Sequence, residues 1–396
     1  MACAAVVALA AFVGVGCAAR SATVAASATA GGDPARTGAA AEADDPTRLL
    51  ADAQAALAAE EGPRAVALFG RFLAAVPNGP EAAEAYLGLA RAHELAHDCA
   101  AAIRAYDGYL DGAPEGDQRV IALAGRGACE AETERWEASA QSFRQMHQAP
   151  GQLPSTRIEG MAREGFALFM LERDAEAKEV LAQADAVYEE AMEEDAERFA
   201  TYYFVGMARF YRAAILHRQF RKVKIELPER AMAKTFKEKL ELLDEAQDAY
   251  NHTIKARHMY WVSAAGYQLG HLMGEFYDDI MYAPVPDWLD EHQREVYYVE
   301  LKKQLRPVID KAAWVFEKNL ETARRLGYES KFTELTEQKL GHLRAVLLSE
   351  EGTLGKPHDR LTPHAREDVG PAPGSDPVGD VPAAERKLFV PAPTPL

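Results

Sequence analysis

The chain has 396 residues, with 61 acidic and 44 basic side chains and a formal net charge of −17. That length allows two or three domains or one long repeat array, and so acidic a surface repels phosphate backbones, which excludes nucleic acid as the expected partner. Gly and Pro gather toward the two ends, and the Ala-, Leu- and Glu-rich middle reads as helix, with strand patterns essentially absent.

Residues 1–17, MACAAVVALAAFVGVGC, form an uncharged apolar run, too short for an ordinary transmembrane helix and suited to the core of an export signal. Its end, Gly14-Val15-Gly16-Cys17, resembles a bacterial lipobox. The resemblance implies that Cys17 is lipidated and becomes the mature N-terminus. A cleaved, soluble periplasmic protein is the alternative. Residues 18–46 are small and polar without apolar period and read as a flexible tether. With Cys3 removed and Cys17 lipidated, Cys99 and Cys129 remain. They read as two free buried thiols, although an oxidising compartment permits a bridge.

Residues 47–190 carry four columns. Small residues recur at Ala53, Ala90, Gly127 and Gly165, and again at Ala65, Ala102, Ser139 and Ala177. Large apolar residues recur at Phe69, Tyr106, Phe143 and Leu181. The fourth column is Phe72, Tyr109, Met146 and Ala184; every column steps by 37, 37 and 38 residues. Pro77 and Pro114 close the first two units, and Pro150 falls one position short of closing the third. Each unit reads as two amphipathic helices joined by a tight turn. Small residues let two helix backbones approach while aromatics fill the groove beside them. One such hairpin cannot bury its apolar face, whereas stacked hairpins can.

The unit AYLGLARAHELAHDCAAAIRAYDGYLDGAP, residues 85–114, resembles the tetratricopeptide repeat through Tyr86, Leu89, Ala90, Ala102, Tyr106 and Pro114. With its longer period, AVALFGRFLAAVPNGPEAAEAYLGLA, residues 65–90, is similar to the long-repeat lipoproteins of the bacterial outer membrane of the BamD and YbgF/CpoB types. The resemblance implies a superhelix whose concave groove is lined by the first helix of each unit. By register, the lining residues are Glu84, Leu87, Arg91 and Glu94, then Ala124 and Ala128, then Ala162, Phe166 and Phe169.

His93-Glu94-Leu95-Ala96-His97 matches the HExxH string of zinc peptidases, in which two His on one helix face hold the metal and the Glu activates a water. The repeat explains the string differently. His97 aligns with Glu60, Glu134 and Glu172 at the end of each first helix, so the helix is expected to break at or just after it. Glu115, at a plausible distance for a third ligand, falls in a loop after Pro114.

From 191 to 346 the columns are lost but helical periodicity continues. Helices are expected over 199–220, 231–256 and 308–328, the last stopped by Gly327, with Asp287 capping a helix from Trp288. Ala265, Tyr267, Leu269 and Gly270 resemble a degenerate first repeat helix. Arg218, Arg221, Lys222 and Lys224 read as a solvated helix end or a docking patch. His271 and Glu275, followed by Asp278 and Asp279, read as a solvated acidic stripe rather than a metal site. Trp261, Trp288 and Trp314 read as core. This half is diffusely similar to repeat proteins near gliding-motility machinery. Residues 347–396 read as a disordered Pro-rich tail.

The sequence thus predicts an all-α, tetratricopeptide-like helical-hairpin solenoid continued by a degenerate helical-repeat half. Its expected function is a non-catalytic protein–protein interaction scaffold without cofactor or metal, binding an envelope protein or peptide. It is expected on the periplasmic face of the outer membrane, held by a lipid on Cys17, as an assembly factor of an envelope or motility complex. The alternative is a zinc metallopeptidase using His93, Glu94 and His97.

Overall fold

A computed structural model describes residues 45–112 and 116–352. Cys17, the tether up to residue 44, the closing Pro114, Glu115 and the tail beyond residue 352 lie outside them. Among the described residues there are thirteen helices and no strand. They are α1 (Pro46–Ala58), α2 (Gly62–Ala75), α3 (Pro80–Leu95), α4 (Cys99–Leu110), α5 (Asp117–Glu132), α6 (Trp136–Gln148), α7 (Pro154–Met170) and α8 (Asp174–Glu193). The second half adds α9 (Tyr203–Lys222), α10 (Glu229–Ile254), α11 (Met259–Met281), α12 (Glu291–Leu326) and α13 (Lys331–Gly352). Each helix packs on the one before it, so α1 to α12 form six stacked hairpins, with α13 laid on α11 and α12. The chain is an all-α, tetratricopeptide-like hairpin solenoid.

All four members of all four repeat columns are buried. The glycines show why the column is small: a Cβ on Gly127 would lie 2.9 Å from Cζ of Phe143, and one on Gly165 would lie 2.3 Å from Cδ2 of Leu181. Each pair joins the two helices of one hairpin. Ser139, the one serine in the columns, is satisfied by donating its hydroxyl to the Gly127 carbonyl at 2.9 Å.

The first four hairpins share one connector. Three residues separate the helices in each, and the middle one is left-handed: Glu60 (φ 58°), His97 (56°), Glu134 (58°) and Glu172 (57°). The next residue's N–H returns to a carbonyl of the last helical turn, from Glu61 to Ala56, Asp98 to His93, Arg135 to Glu130 and Arg173 to Leu168, at 2.7–2.9 Å. This satisfies helix-end carbonyls in the manner of a Schellman cap, where glycine is the favoured residue. The carbonyl of that same residue then accepts from Ala65, Ala102, Ser139 or Ala177, so the second small column opens each second helix. L-residues pay a steric penalty in this backbone region. Glu134→Gly and Glu172→Gly, both at exposed sites, are therefore expected to raise stability by about 0.5–1 kcal/mol each. Thermal melts check this, and a lowered midpoint in both would refute the connector geometry.

The second half departs from expectation in several places. The helix after the Pro-rich turn begins at Glu291, not Trp288; its cap is Asp290, whose side chain accepts from the Gln293 N–H while Gln293 answers the Asp290 N–H. It then runs unbroken past Pro307 to Gly327, which is left-handed at φ 62° as predicted. Pro307 removes the donor for the carbonyl of Lys303, a residue on the exposed side of the helix. Trp261 is fully buried, but Trp288 is 70 % and Trp314 56 % exposed, so two of the three expected core tryptophans are surface residues.

Candidate functional site

The first helices of the first three hairpins contact one another in order, α1 with α3 and α3 with α5. On α3, Glu84 is exposed and Arg91 and Glu94 are half-buried, whereas Leu87 turns into the core. On α5, Ala124 and Ala128 are half-buried. The helices packed against α3 are its hairpin partner α4 and, from the neighbouring hairpins, α1, α2 and α5. Between hairpins, Gly88 receives the Phe69 ring and Gly125 receives the Tyr106 hydroxyl, whose oxygen would lie 2.2 Å from an added Cβ. These two glycines are also 37 apart, a fifth column that the sequence carries. Its next member is Arg163, whose guanidinium lies 5.3 Å from the centre of the Phe143 ring.

At the fourth hairpin the face is closed, which corrects part of the predicted groove. Ala162, Phe166 and Phe169 are buried because α9 packs across α7. Tyr211 of α9 lies 4.8 Å from Phe166 and 5.2 Å from Phe169, ring centre to ring centre. Arg218 stacks 3.8 Å above Phe169, donates to its carbonyl at 3.0 and 3.1 Å and pairs with Asp174. The cause lies in α9, whose residues from Tyr203 to Tyr211 are all buried, so that the helix has neighbours on every side. The apolar and aromatic stretch over 203–211, interrupted only by Arg209, was the sequence signal for it.

The HELAH string does not form a peptidase centre. Helix α3 ends at Leu95, and His97 sits exposed at the left-handed connector position that three glutamates occupy in the other hairpins. His93 stays on the helix with Nδ1 4.0 Å from Asp98; burial lowers its pKa, and Asp98 opposes that shift. The two imidazoles therefore do not share an intact helix face, as a zinc peptidase requires. Glu94 is turned elsewhere. It is hydrogen-bonded by the Tyr106 hydroxyl and lies 3.9 Å from Sγ of Cys129. Burial raises its carboxyl, and the Tyr106 hydrogen bond and Arg91 partly offset that.

Two further clusters hold titratable groups. Asp185, Glu189 and His252 converge closely enough for a cation, but two guanidiniums already fill the place. Arg209 reaches Asp185 at 2.6 Å and Glu189 at 2.5 Å, and Arg212 reaches Asp185 at 3.0 Å. This network ties α8, α9 and α10 together.

The second cluster corrects two expectations at once. Glu275 is 5 % exposed, so it belongs to no solvated stripe, and Arg221 is neither a solvated helix end nor a docking patch. Arg221 grips Glu275 with two hydrogen bonds, at 2.6 and 2.9 Å. His217, fully buried, holds the same carboxylate through Nε2 at 2.9 Å and the Tyr250 hydroxyl through Nδ1 at 3.1 Å. The arrangement suits a neutral imidazole that donates to Glu275 and accepts from Tyr250. Burial lowers the His217 pKa against the opposing pull of Glu275. Burial pushes Glu275 up, but the hydrogen bonds from His217 and Arg221 outweigh it and hold the carboxyl well below the usual carboxylate range. Burial also pushes His271 down to about 3. Lys239, fully buried nearby, donates to the Phe220 and Val223 carbonyls and pairs with Asp279 at 2.7 Å. With its groups engaged by one another, this is a structural clamp between α9, α10 and α11.

Among solved structures, the chain is similar to a tetratricopeptide repeat protein from Parabacteroides merdae, at 13 % identity and a TM-score of 0.39, covering 74 % of this chain and 97 % of that one. It is also similar to a TPR repeats protein from Bacteroides fragilis, at 13 % identity and a TM-score of 0.31, covering 67 % and 98 %. A Rap protein complexed with Competence and Sporulation Factor follows, at 12 % identity and a TM-score of 0.27, covering 77 % and 99 %. No family model matches the chain, and no curated protein does.

Proposed function

We propose that this chain is a non-catalytic scaffold that takes up an extended segment or helix of a partner protein on the exposed side of α3 and α5. The observation that carries the reading is the contrast along the solenoid. Glu84, Arg91, Glu94, Ala124 and Ala128 keep accessible surface on consecutive first helices, whereas α9 seals the equivalent face of α7. The accessible strip combines both charge signs with small alanines that leave room for a guest backbone. Small alanines flanked by charges suit a segment that lies close to the helices and is oriented by ion pairs.

We place this activity in the bacterial envelope, with the body tethered through a lipid on Cys17 and the scaffold serving assembly of an envelope or motility complex. The support is the apolar run that ends at Cys17, together with the small, polar stretch after it.

Affinity capture from envelope fractions, with the full chain as bait, tests both parts. Arg91→Glu combined with Ala128→Arg is expected to reduce recovery of a specific partner at least tenfold while leaving the melting curve unchanged. Equal recovery by both baits would overturn the groove assignment. Cys17→Ser is expected to move the protein from the membrane fraction to the soluble one, and continued membrane fractionation would end the anchor proposal.

A further inference from the structure

Cys99 opens α4 in the second hairpin, and Cys129 lies near the end of α5 in the third. Their Sγ atoms are 2.9 Å apart, closer than two non-bonded sulphurs ordinarily rest, and both side chains are buried. Two carboxylates flank them: Glu132 lies 3.2 Å from Cys99 and Glu94 lies 3.9 Å from Cys129. We propose that Cys99 and Cys129 are a disulfide site, a covalent staple between the second and third hairpins that forms when the chain meets a disulfide oxidant.

Three features favour a bridge over the other fates of a thiol pair. The sulphurs are already in place, so closing the bond needs only a small approach of two side chains on neighbouring packed helices. The surroundings are also hostile to anionic sulphur. Burial pushes the Cys99 thiol up to about 11, with Glu132 adding to the shift; burial, the Cys99 contact and Glu94 push Cys129 higher still. A sulfenate would set negative charge beside two carboxylates, whereas a disulfide is neutral. Finally, Cys99 is the less deeply buried residue of the pair, 8 % exposed against 3 % for Cys129, and so the nearer of the two to an oxidant.

With glutathione disulfide as oxidant, the steps balance. The Cys99 thiol loses its proton and attacks one glutathione sulphur, which forms a mixed disulfide and expels a glutathione thiolate. The Cys129 sulphur, deprotonated in turn, attacks Sγ of Cys99, forming the protein S–S bond and releasing the second glutathione. The two protons end on two glutathione thiols; the protein is oxidised by two electrons and the glutathione disulfide is reduced by two.

The bridge would join residues 30 apart in sequence and pin the floor of the accessible strip beside Glu94. The full chain, equilibrated with mixed reduced and oxidised glutathione, alkylated and digested with trypsin without reduction, provides the test. Trypsin places the two cysteines in separate peptides, 92–104 and 127–135. A linked pair lacking two hydrogens is expected, together with a melting temperature about 5–10 °C above that of the dithiothreitol-treated protein. Recovery of both peptides alkylated would overturn the proposal. So would thiols that react only after a chelator is added, since that marks a bound metal ion instead.

Discussion

Replacing Glu275 by alanine is expected to cost about 3–5 kcal/mol of folding stability, because it leaves the half-buried Arg221 guanidinium and the fully buried His217 without the carboxylate that compensates them. By contrast, breaking the exposed Arg306–Asp310 pair should be barely measurable, since water already solvates both partners. Urea unfolding of the two variants checks the difference, and a Glu275→Ala midpoint near that of the parent would show that the clamp contributes nothing. The same region sets the pH response. Burial pushes His271 down to about 3 and His258 to about 4, so the folded chain withholds protons that the unfolded chain binds below about 6.5. Stability is therefore complete above that value and falls with pH toward 4. The slope is up to about 1.4 kcal/mol per unit for each withheld proton. Glu275, with its pKa lowered, adds a further loss as pH falls below the ordinary carboxylate range. Denaturant midpoints at pH 7.5, 6 and 5 should decline in that order; a flat series would contradict the burial of these imidazoles.

Two glycine substitutions should move stability in opposite directions. Gly165→Leu is expected to lose about 1–3 kcal/mol or more, since even its first carbon meets the Leu181 side chain at 2.3 Å and the hairpin cannot close around it. Gly70→Ala is expected to gain about 0.5–1 kcal/mol, because Gly70 lies on the exposed side of α2 with nothing within 4 Å of the added carbon and alanine favours the helix. Both helices are glycine-bearing and in the same repeat array, so only the packing argument separates them. Thermal melts showing the same sign for both would mean that the small-residue columns do not mark close contacts.

The hairpins were legible because a repeat writes its packing at a fixed spacing. Every column residue from Ala53 to Ala184 is buried, and the alignment of His97 with three glutamates marks the connector in the sequence itself. Long-range ion pairs were not legible. Arg221 and Glu275 stand 54 residues apart on helices whose mutual orientation no local pattern encodes, so each was assigned to solvent. The closing of the groove at Phe166 and Phe169 was missed for a related reason: its cause lies in the following hairpin, not in their own. The tryptophans are a different case. The buried stripe of α12 runs Leu305, Ile309, Ala312, Phe316 and Leu320, and Trp314 falls two residues off it, about 200° around the helix from Ala312. Drawing that stripe would have put Trp314 outside.

Because α9 walls off the fourth hairpin, the trough along α1, α3 and α5 is a blind alley. At about 8–10 Å between packed helix axes, the two steps from α1 to α5 measure roughly 16–20 Å, which an extended chain covers in about five or six residues. A guest would thus be gauged by length as well as by composition: a terminus or short loop fits within the alley, while a longer strand must turn outward where Tyr211 and Arg218 stand.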